Sequence, residues 1–358
     1  MTARLIESRK ALLAFIILGG NLFLFFKYAV QETANTDTPR NDLLEGKSYK
    51  DVADQGGELD AVYPMDYSSE NQYPPLIIYN RVPKTGSTTF ANIAYKLTGA
   101  NNFHMLHLNV TYKNMHYLTI LDQQRFVRNI SLWKEKTPAL YHGHLYFLEF
   151  TRFGFPNPIY INIVRDPIER LVSYYYFLRY GDDYRPKLKR ASAKDNKTLD
   201  ECLLTKGKDC DLERVMWVQI PFFCGHSVEC LKPGRWALEQ AKTNLLNKYL
   251  LVGVTEHLEQ FIAMLEVMLP RYFSGAYDLF KTTNLGYLRK TKEKHPPSEQ
   301  TVAYIRSSKV YQLEQEFYEF AKAHFRFLVA RTHTKDEEDR IVVNGPIFKY
   351  EKIFPRRS

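Results

Sequence analysis

The chain has 358 residues, of which 45% are hydrophobic and 14% aromatic, and its formal net charge at pH 7 is +9. This length and apolar content are enough to bury a full core, so we expect one large domain, with or without appendages, and exclude a chain that is disordered throughout. Residues 1–30 carry +3 and residues 31–72 carry −7, which leaves +13 on residues 73–358. A domain this basic predicts an anionic partner, for which charge alone allows sulfated polysaccharide, nucleic acid and anionic lipid.

The N-terminus has the pattern of a membrane anchor. Three basic residues lie within residues 1–10, and an uncharged apolar run covers residues 11–26. Extended by the flexible stem of Lys27, such a run just spans a bilayer, and the basic residues place its N-terminal end in the cytosol. A cleaved signal peptide is the alternative, but no small-x-small cleavage site follows the run. We therefore predict a cytoplasmic tail over residues 1–10 and a type II signal anchor over residues 11–30.

Residues 31–72 differ in composition from the segments on either side. They contain ten Asp or Glu residues against three Lys or Arg residues, with little apolar periodicity. Such a composition is typical of a solvated linker. We predict a stem that keeps the domain over residues 73–358 away from the membrane.

The segment from Leu76 to Phe90 predicts a strand, a tight loop and the start of a helix. Residues 76–79 are a short apolar run of the kind that central parallel strands show, and apolar residues at helical spacing begin at Phe90. Between them lie Lys84, Gly86 and four hydroxyl residues: Thr85, Ser87, Thr88 and Thr89. A helix N-terminus with free N–H groups, hydroxyls and a lysine suits an oxyanion such as phosphate or sulfate. An ordinary βα turn is the alternative, and a Walker A loop does not fit because it places its lysine after the glycine.

Strands and helices alternate through the rest of the chain. Apolar runs predict strands over residues 105–110, 139–146, 159–164 and 249–254. Amphipathic helices are predicted after the last two, the second of them capped by Thr255, and again from about Ser298. This alternation implies a parallel sheet with helices on both faces, in which ligands bind beyond the carboxyl ends of the strands. Residues 347–354 are rich in β-formers and are expected to add a strand to this sheet or to a neighbouring subunit.

A second strand-to-helix turn begins at Arg165. Asp166 is a predicted N-cap, Pro167 fits the first helical position, and Glu169 is expected to complete a capping box. Arg165 at the strand end and Ser173 two turns along the helix are suited to holding a second anion. Because Asp-Pro-x-Glu is a good helix start in any protein, a purely structural role is the alternative.

Sequons and cysteines indicate the compartment. Three N-x-[ST] sequons begin at Asn109, Asn129 and Asn196. The four cysteines form two close pairs, each expected to close a small loop by a disulfide in an oxidising lumen: Cys202 with Cys210, and Cys224 with Cys230. A zinc site on four thiolates is the alternative, but the intervening seven and five residues do not match the usual CxxC motifs. Together these features favour a membrane enzyme of the secretory pathway and argue against nucleic acid as the partner.

The two turns together resemble the paired signature of sulfotransferases that use 3′-phosphoadenosine 5′-phosphosulfate (PAPS). Residues 83–88 read Pro-Lys-Thr-Gly-Ser-Thr, and residues 165–173 begin with Arg-Asp-Pro and end with serine. A closer resemblance, to the heparan sulfate 2-O-sulfotransferases, covers the chain from Tyr73 to its end. It is carried by residues 79–85, 141–144, 165–178, 181–186, 219–227, 251–255 and 288–291.

The resemblance implies an α/β fold of the sulfotransferase type, with a P-loop-like parallel sheet flanked by helices, preceded by a single N-terminal transmembrane helix and a stem. It implies a single-pass type II enzyme of the Golgi membrane with a lumenal catalytic domain over residues 73–358, assembled as a homotrimer. The implied reaction is in-line transfer of the sulfuryl group of PAPS to the 2-hydroxyl of a hexuronic acid, mainly iduronic acid, in heparan sulfate. No metal is expected.

The resemblance also implies roles for individual residues. The general base is His144, supported by His142, and Lys84 stabilises charge in the transition state. The 5′-phosphosulfate is bound by Lys84, Thr85, Gly86, Ser87 and Thr88. The 3′-phosphate is bound by Arg165 and Ser173, and the nucleotide is covered by Thr291 and Lys294. The saccharide groove is lined by Arg81, Asn92, Tyr95, Tyr174, Arg185, Arg190 and Arg289. Gly86 departs from the alanine of vertebrate members.

Two alternative functions remain at this point. A non-catalytic heparin-binding protein with the same fold has no need of the Lys84 loop, Arg165, Ser173 and His144 together. A uronyl 2-O-sulfotransferase that acts on dermatan or chondroitin sulfate is the narrower alternative. Its phosphosulfate loop departs from the Pro-Lys-Thr present here.

Overall fold

The structure is a computed structural model that describes residues 76–109, 116–182, 192–193, 195–282, 291, 293–337, 341–345 and 348. All of these residues belong to one compact unit, Tyr67–Ser358. The predicted anchor and stem lie outside the described residues, as does the predicted tail strand apart from Phe348. Within the described part of the chain, no helix is long and apolar enough to cross a membrane.

Among the described residues, five parallel strands form the central sheet, in the order β2-β3-β1-β4-β5. They are β1 (Leu76–Tyr79), β2 (His104–Leu108), β3 (Ala139–Gly143), β4 (Ile159–Val164) and β5 (Tyr249–Val254). All residues of the central strand β1 are buried, as expected for an apolar run with no polar face. The predicted parallel α/β sheet is confirmed, and β3 ends earlier than predicted.

Helices cover the sheet and connect its strands. In chain order they are α1 (Ser87–Leu97), α2 (Ile120–Leu132), α3 (Pro167–Tyr180), α4 (Leu199–Leu204), α5 (Leu212–Val215), α6 (Gln219–Cys224), α7 (Arg235–Lys248), α8 (Leu258–Met268), α9 (Pro270–Phe273), α10 (Ala276–Thr282), α11 (Glu299–Ser307) and α12 (Lys309–Thr332). Short 3-10 helices lie at 134–136, 151–153, 208–210, 228–231 and 255–257. A small antiparallel hairpin pairs β6 (His333–Lys335) with β7 (Ile341–Val343).

The strand register determines which helices lie on each face. Tyr160 pairs with Ile78, the residue before Tyr79, so the side chains of Tyr79 and Tyr160 point to opposite faces of the sheet. On one face Tyr79 joins an aromatic cluster from α1, α8 and α9: Phe90, Phe261 and Phe273. On the other face Tyr160 joins a cluster that reaches α6 and α12: Phe147, Tyr249, Phe223 and Phe317. These clusters form the two layers of the core.

Two predicted helix starts differ from the structure. Asp166 caps α3 as predicted, accepting from the N–H of Glu169 at 2.9 Å. The Glu169 carboxylate does not complete a capping box, because it pairs with Arg165 at 3.0 Å. Thr255 does not cap α8: its hydroxyl donates to the carbonyl of Val164 at 3.1 Å, and a 3-10 turn precedes the helix. At the first place a local i,i+4 ion pair takes the side chain that the capping rule assigns to the helix end. At the second, a contact with the neighbouring strand β4 takes it.

Both predicted disulfides are present. Cys202–Cys210 closes the loop after α4, with a Cα–Cα distance of 6.1 Å, and Cys224–Cys230 links the end of α6 to the 3-10 helix that follows, at 5.6 Å. The zinc alternative is excluded because these bonds use all four thiols. The three sequon asparagines are exposed, and glycan attachment to them stays a prediction.

Candidate active site

A cavity of about 770 Å³ opens at the carboxyl ends of the parallel strands. Residues that follow four of the strands reach it: Arg81 after β1, His144 after β3, Arg165 after β4 and Thr255 after β5. Parallel α/β sheets bind their ligands at this edge. The cavity gathers most of the predicted site residues: Arg81, Lys84, Gly86, Ser87, Thr88, His144, Arg165, Ser173, Tyr174, Thr291 and Lys294.

The loop before α1 has a distinctive backbone. Lys84 has a φ of 68° and Gly86 a φ of 76°, both in the left-handed region. The hydroxyls of Thr85 and Ser87 donate to the carbonyl of Val82 at 3.0 and 3.3 Å, so these buried side chains hold the loop in shape. Thr85 itself does not line the cavity. Because α1 begins without a side-chain cap, its positive dipole end is available to an anion.

The two turns are in direct contact with each other. One guanidinium nitrogen of Arg165, Nη1, donates to the carbonyl oxygen of Lys84 at 3.4 Å, and the other, Nη2, pairs with Glu169. The ammonium of Lys84 lies over the ring of Phe177 on α3, 4.1 Å from its centroid. Helix α3 therefore orients both the guanidinium of the second turn and the ammonium of the first.

The second turn offers side chains to an anion. Asp166 already caps α3, so the helix end is partly satisfied. The groups that line the cavity are Arg165, the buried Ser173 and Thr291, and Lys294. Burial and the charge of Arg165 lower the pKa of Lys294. Because the positive side chains of Arg165 and Lys294 line the same cavity, their charges favour the binding of an anion between them.

The ring of His144 is held in one tautomer. Its Nδ1 lies 2.9 Å from the carbonyl oxygen of Arg81. Because a carbonyl oxygen only accepts, Nδ1 carries the proton, and Nε2 of the neutral ring is unprotonated. Burial and the positive charge of Arg81 lower the pKa of His144 to about 3. The ring is therefore neutral at pH 7, which is the form that a base requires.

His142 lies beside the cavity and does not line it. Its ring is buried in β3, with Nε2 3.3 Å from the hydroxyl of Tyr95 on α1 and its centroid 5.0 Å from that of His107 on β2. This position suits a residue that supports the neighbouring His144 through the end of β3. A catalytic role for His142 stays a prediction.

The residues predicted to line the saccharide groove are described in part. Arg81 and Tyr174 line the cavity. Tyr95 contacts His142 at the side of it, and the amide of Asn92 donates to the backbone of Thr88 within α1 at 3.0 Å. Three others lie outside the described residues: Arg185, Arg190 and Arg289.

Two further histidines near the cavity are not predicted from the sequence. Nε2 of His107 lies 3.4 Å from a guanidinium nitrogen of Arg81. The ring centroid of His116 lies 5.6 Å from that of His144. Burial lowers the pKa of His116, and a hydrogen bond with the backbone of His144 offsets part of that effect. His107 could be found from the sequence, because it is a polar residue within an apolar predicted strand. His116 belongs to no motif.

Acid is expected to destabilise the fold through its buried histidines. Burial lowers the pKa of His142 and His144 to about 3 and that of His226 to about 4, below the usual 6.5. Between those values the unfolded chain binds more protons than the folded one, so this stability is complete above pH 6.5 and is lost as the pH falls. For a ring as buried as His142 the loss at pH 5 is about 2 kcal/mol. Glu314, whose pKa burial raises to about 7, acts in the opposite direction but is a single group.

Urea unfolding followed by tryptophan fluorescence at pH 7.5 and pH 5.0 measures this effect. A lower midpoint at pH 5.0 is expected. An equal or higher midpoint at pH 5.0 would contradict the burial of these rings in the neutral form.

Gly86→Ala is expected to destabilise the protein by about 1–2 kcal/mol, the cost of a Cβ in the left-handed region. The new Cβ would also lie 3.3 Å from Cγ2 of Thr255. Because the new Cβ meets only the side chain of Thr255 and no backbone atom within 4 Å, we expect the variant to fold and to keep its activity. Gly99→Ala is the matched control, because its Cβ meets nothing within 4 Å. Equal unfolding free energies for the two variants would contradict the strain assigned to Gly86.

Comparison with known proteins identifies the family. Residues 72–321 match the family model described as the sulfotransferase family. The chain is 48% identical over 363 residues to heparan sulfate 2-O-sulfotransferase 1 of Xenopus laevis, with 99% of each chain covered. It is 53% identical over 297 residues to the Mus musculus protein of the same name, with 82% of each covered. It is 52% identical over 283 residues to a Drosophila melanogaster protein named heparin sulfate O-sulfotransferase, with 78% of this chain and 79% of that one covered. The chain is therefore an enzyme of the sulfotransferase family and belongs among the heparan sulfate 2-O-sulfotransferases.

Proposed function

We propose that this enzyme transfers the sulfuryl group of PAPS to the 2-hydroxyl of a hexuronic acid, mainly iduronic acid, in heparan sulfate. The observation that carries the proposal is the meeting, in one cavity, of two turns suited to anions and a neutral imidazole. The names of the relatives support heparan sulfate as the acceptor. The charge of +13 on residues 73–358 suits a sulfated polysaccharide.

The donor groups in the cavity fit a nucleotide with an anion at each end. The uncapped end of α1 and the ammonium of Lys84 suit the 5′-phosphosulfate, together with Ser87 and Thr88. The 3′-phosphate suits the second set, Arg165, Ser173, Thr291 and Lys294. PAPS, when bound there, supplies the sulfuryl group and leaves as 3′-phosphoadenosine 5′-phosphate.

His144 is the residue that takes the proton in this proposal. A sugar hydroxyl is a poor nucleophile, so its proton must leave as the new S–O bond forms. Nε2 of His144 accepts it, and the carbonyl of Arg81 holds the opposite ring nitrogen and keeps the resulting imidazolium oriented. Lys84 stabilises the negative charge that develops on the oxygen of the S–O bond that breaks.

The acceptor is bound, in this proposal, by Arg81 and Tyr174 at the cavity and by the predicted arginines outside the described residues. An arginine fork pairs well with the carboxylates and N-sulfates of a heparan chain. Arg81 also contacts His107 and holds His144 through its carbonyl. Acceptor binding and proton removal therefore share one residue.

We also propose a type II orientation in the Golgi membrane, with residues 11–30 as anchor and the catalytic domain in the lumen. The two disulfides and the three exposed sequons suit an oxidising lumen. A homotrimer is the proposed assembly, supported by exposed apolar residues near the C-terminal hairpin, Phe327, Val342 and Val343. Sedimentation of the detergent-solubilised chain as a stable monomer would contradict it.

The reaction is tested with the full chain in detergent, radiolabelled PAPS and a panel of acceptors. The panel contains N-sulfated heparan precursor, dermatan sulfate and chondroitin sulfate, and products are identified by disaccharide analysis. We expect label on the 2-position of iduronic acid in the heparan product. Label on dermatan or chondroitin alone would favour the uronyl 2-O-sulfotransferase alternative, and transfer to none of the acceptors would overturn the proposal.

A further inference from the structure

A buried carboxylate and a buried amide connect helix α12 to the turn that follows β4. The carboxylate is that of Glu314, which is wholly inaccessible to solvent. It accepts from the backbone N–H groups of Val218 at 2.9 Å, Gln219 at 3.2 Å and Ile220 at 3.1 Å. These N–H groups lie at the start of α6, where no side chain of the helix itself caps them. Glu314 therefore fixes the backbone from which Gln219 extends.

The side chain of Gln219 binds both backbone polar groups of Arg165. Its Oε1 accepts from the N–H of Arg165 at 2.9 Å, and its Nε2 donates to the carbonyl of Arg165 at 2.9 Å. Gln219 is also wholly buried. The last strand pairing of β4 is that of Val164 with Val254, so the backbone of Arg165 is beyond the sheet and needs other partners.

The guanidinium of Arg165 is held separately from its backbone. It pairs with Glu169 and donates to the carbonyl of Lys84, and it lines the cavity. A side chain whose tip is anchored by an exposed group and one long hydrogen bond depends on its backbone for its direction. The carboxylate of Glu169 is largely exposed, which makes it a weak anchor by itself.

We propose that Gln219 is a positioning residue for the 3′-phosphate site, holding the backbone of Arg165 so that the guanidinium points at the phosphate, with Glu314 holding Gln219 in turn. The inference rests on the proposed function, which places the 3′-phosphate at Arg165. Gln219 touches neither the cavity nor the reacting atoms, so it acts only through Arg165. It lies in none of the segments assigned to the nucleotide by resemblance.

Gln219→Met and Gln219→Glu test the inference. Methionine has a similar length and makes neither hydrogen bond, whereas glutamate keeps an oxygen for the N–H but places a second oxygen against the carbonyl. Affinities are measured by calorimetry for 3′-phosphoadenosine 5′-phosphate and for adenosine 5′-phosphosulfate, which lacks the 3′-phosphate. We expect both variants to lose about tenfold or more in affinity for the first ligand, the scale of a small misplacement of a binding group, with little change for the second.

Two control variants make the outcomes distinguishable. Gln123→Met removes a buried glutamine whose amide donates to the carbonyl of Leu118 at 2.9 Å, away from the cavity, and is expected to change neither affinity. Arg165→Ala is expected to abolish the preference for the ligand with a 3′-phosphate, that is, the tighter binding of 3′-phosphoadenosine 5′-phosphate than of adenosine 5′-phosphosulfate. If Arg165→Ala keeps that preference, the proposed 3′-phosphate site fails.

The inference about Gln219 has its own contradicting results. If Arg165→Ala loses the preference and both Gln219 variants keep it, the positioning role is wrong while the proposed site stands. Equal loss of affinity for both ligands in the Gln219 variants would indicate a general structural role and also overturn it. The glutamate variant differs little in shape from the native side chain, so it carries the test if the methionine variant does not fold.

Discussion

Replacing His144 with alanine is expected to lower kcat by about 10²–10⁴-fold, the range for loss of a positioned general base. The ring lines the cavity, and the carbonyl of Arg81 leaves Nε2 as its unprotonated nitrogen. Alanine removes that nitrogen and keeps both charged turns, so turnover falls far more than nucleotide affinity. The measurement is kcat at saturating PAPS with N-sulfated heparan precursor as the acceptor.

Two controls separate loss of the base from loss of the fold. His104→Ala removes an exposed histidine of β2 and is expected to leave kcat unchanged. The affinity of His144→Ala for 3′-phosphoadenosine 5′-phosphate is expected to stay close to that of the native enzyme. A folded His144→Ala enzyme with native kcat would exclude His144 as the base.

Local sequence patterns predicted the parts of the site that are contiguous in the chain. The loop with Lys84 and the turn with Arg165 each combine an apolar strand, a few polar residues and a helix start within about a dozen residues, which is the range where strand, turn and capping rules apply. Strands that alternate with helices form a parallel sheet, and a parallel sheet places the carboxyl ends of its strands on the same edge. The two turns are therefore expected to meet in one cavity. His144 is predicted from the resemblance to the family, and the structure places it directly after the end of β3.

The remaining parts depend on contacts between distant segments. Gln219 meets Arg165 across 54 positions of the chain, and Glu314 meets Gln219 across 95. A glutamate in a long helix predicts a solvated face, and nothing near Glu314 in the sequence indicates the three N–H groups that it binds. Glu169 shows a different limit, because two local rules compete for its carboxylate and the i,i+4 ion pair with Arg165 forms in place of the capping box.

Helix α3 contains both a part that local sequence patterns predict and a contact that they do not. Its first turn is predictable from Asp166 and Pro167, and Ser173 follows on the side that lines the cavity. One turn further, Phe177 supports the ammonium of Lys84, a contact that no pattern in either segment indicates. A helix that begins at one proposed anion site thus also orients the cation of the other, so in the proposed function α3 supports both ends of the nucleotide.

Lys84→Ala is expected to lower kcat by about 10²–10³-fold, the range for removal of one group that stabilises transition-state charge. The backbone at this position has a φ of 68°, and alanine adopts it no more easily than lysine because both carry a Cβ, so the strain in the loop is unchanged. Loss of the contact with Phe177 costs about 0.5–1 kcal/mol of stability, too little to unfold the domain. The loss of activity is therefore expected in a folded enzyme, measured as kcat at saturating PAPS.

Two variants show whether Lys84 acts as a placed point charge. Lys96→Ala removes an exposed lysine from the last turn of α1, the helix that follows the Lys84 loop, and is expected to leave kcat unchanged. Lys84→Arg keeps the charge but spreads it over a planar fork, which does not reproduce a compact ammonium over the Phe177 ring, so we expect little recovery of kcat. Full recovery with arginine would show that positive charge in the loop is sufficient without a placed ammonium. Native kcat in Lys84→Ala would remove Lys84 from the reaction, leaving the uncapped end of α1 as the group that binds the 5′-phosphosulfate.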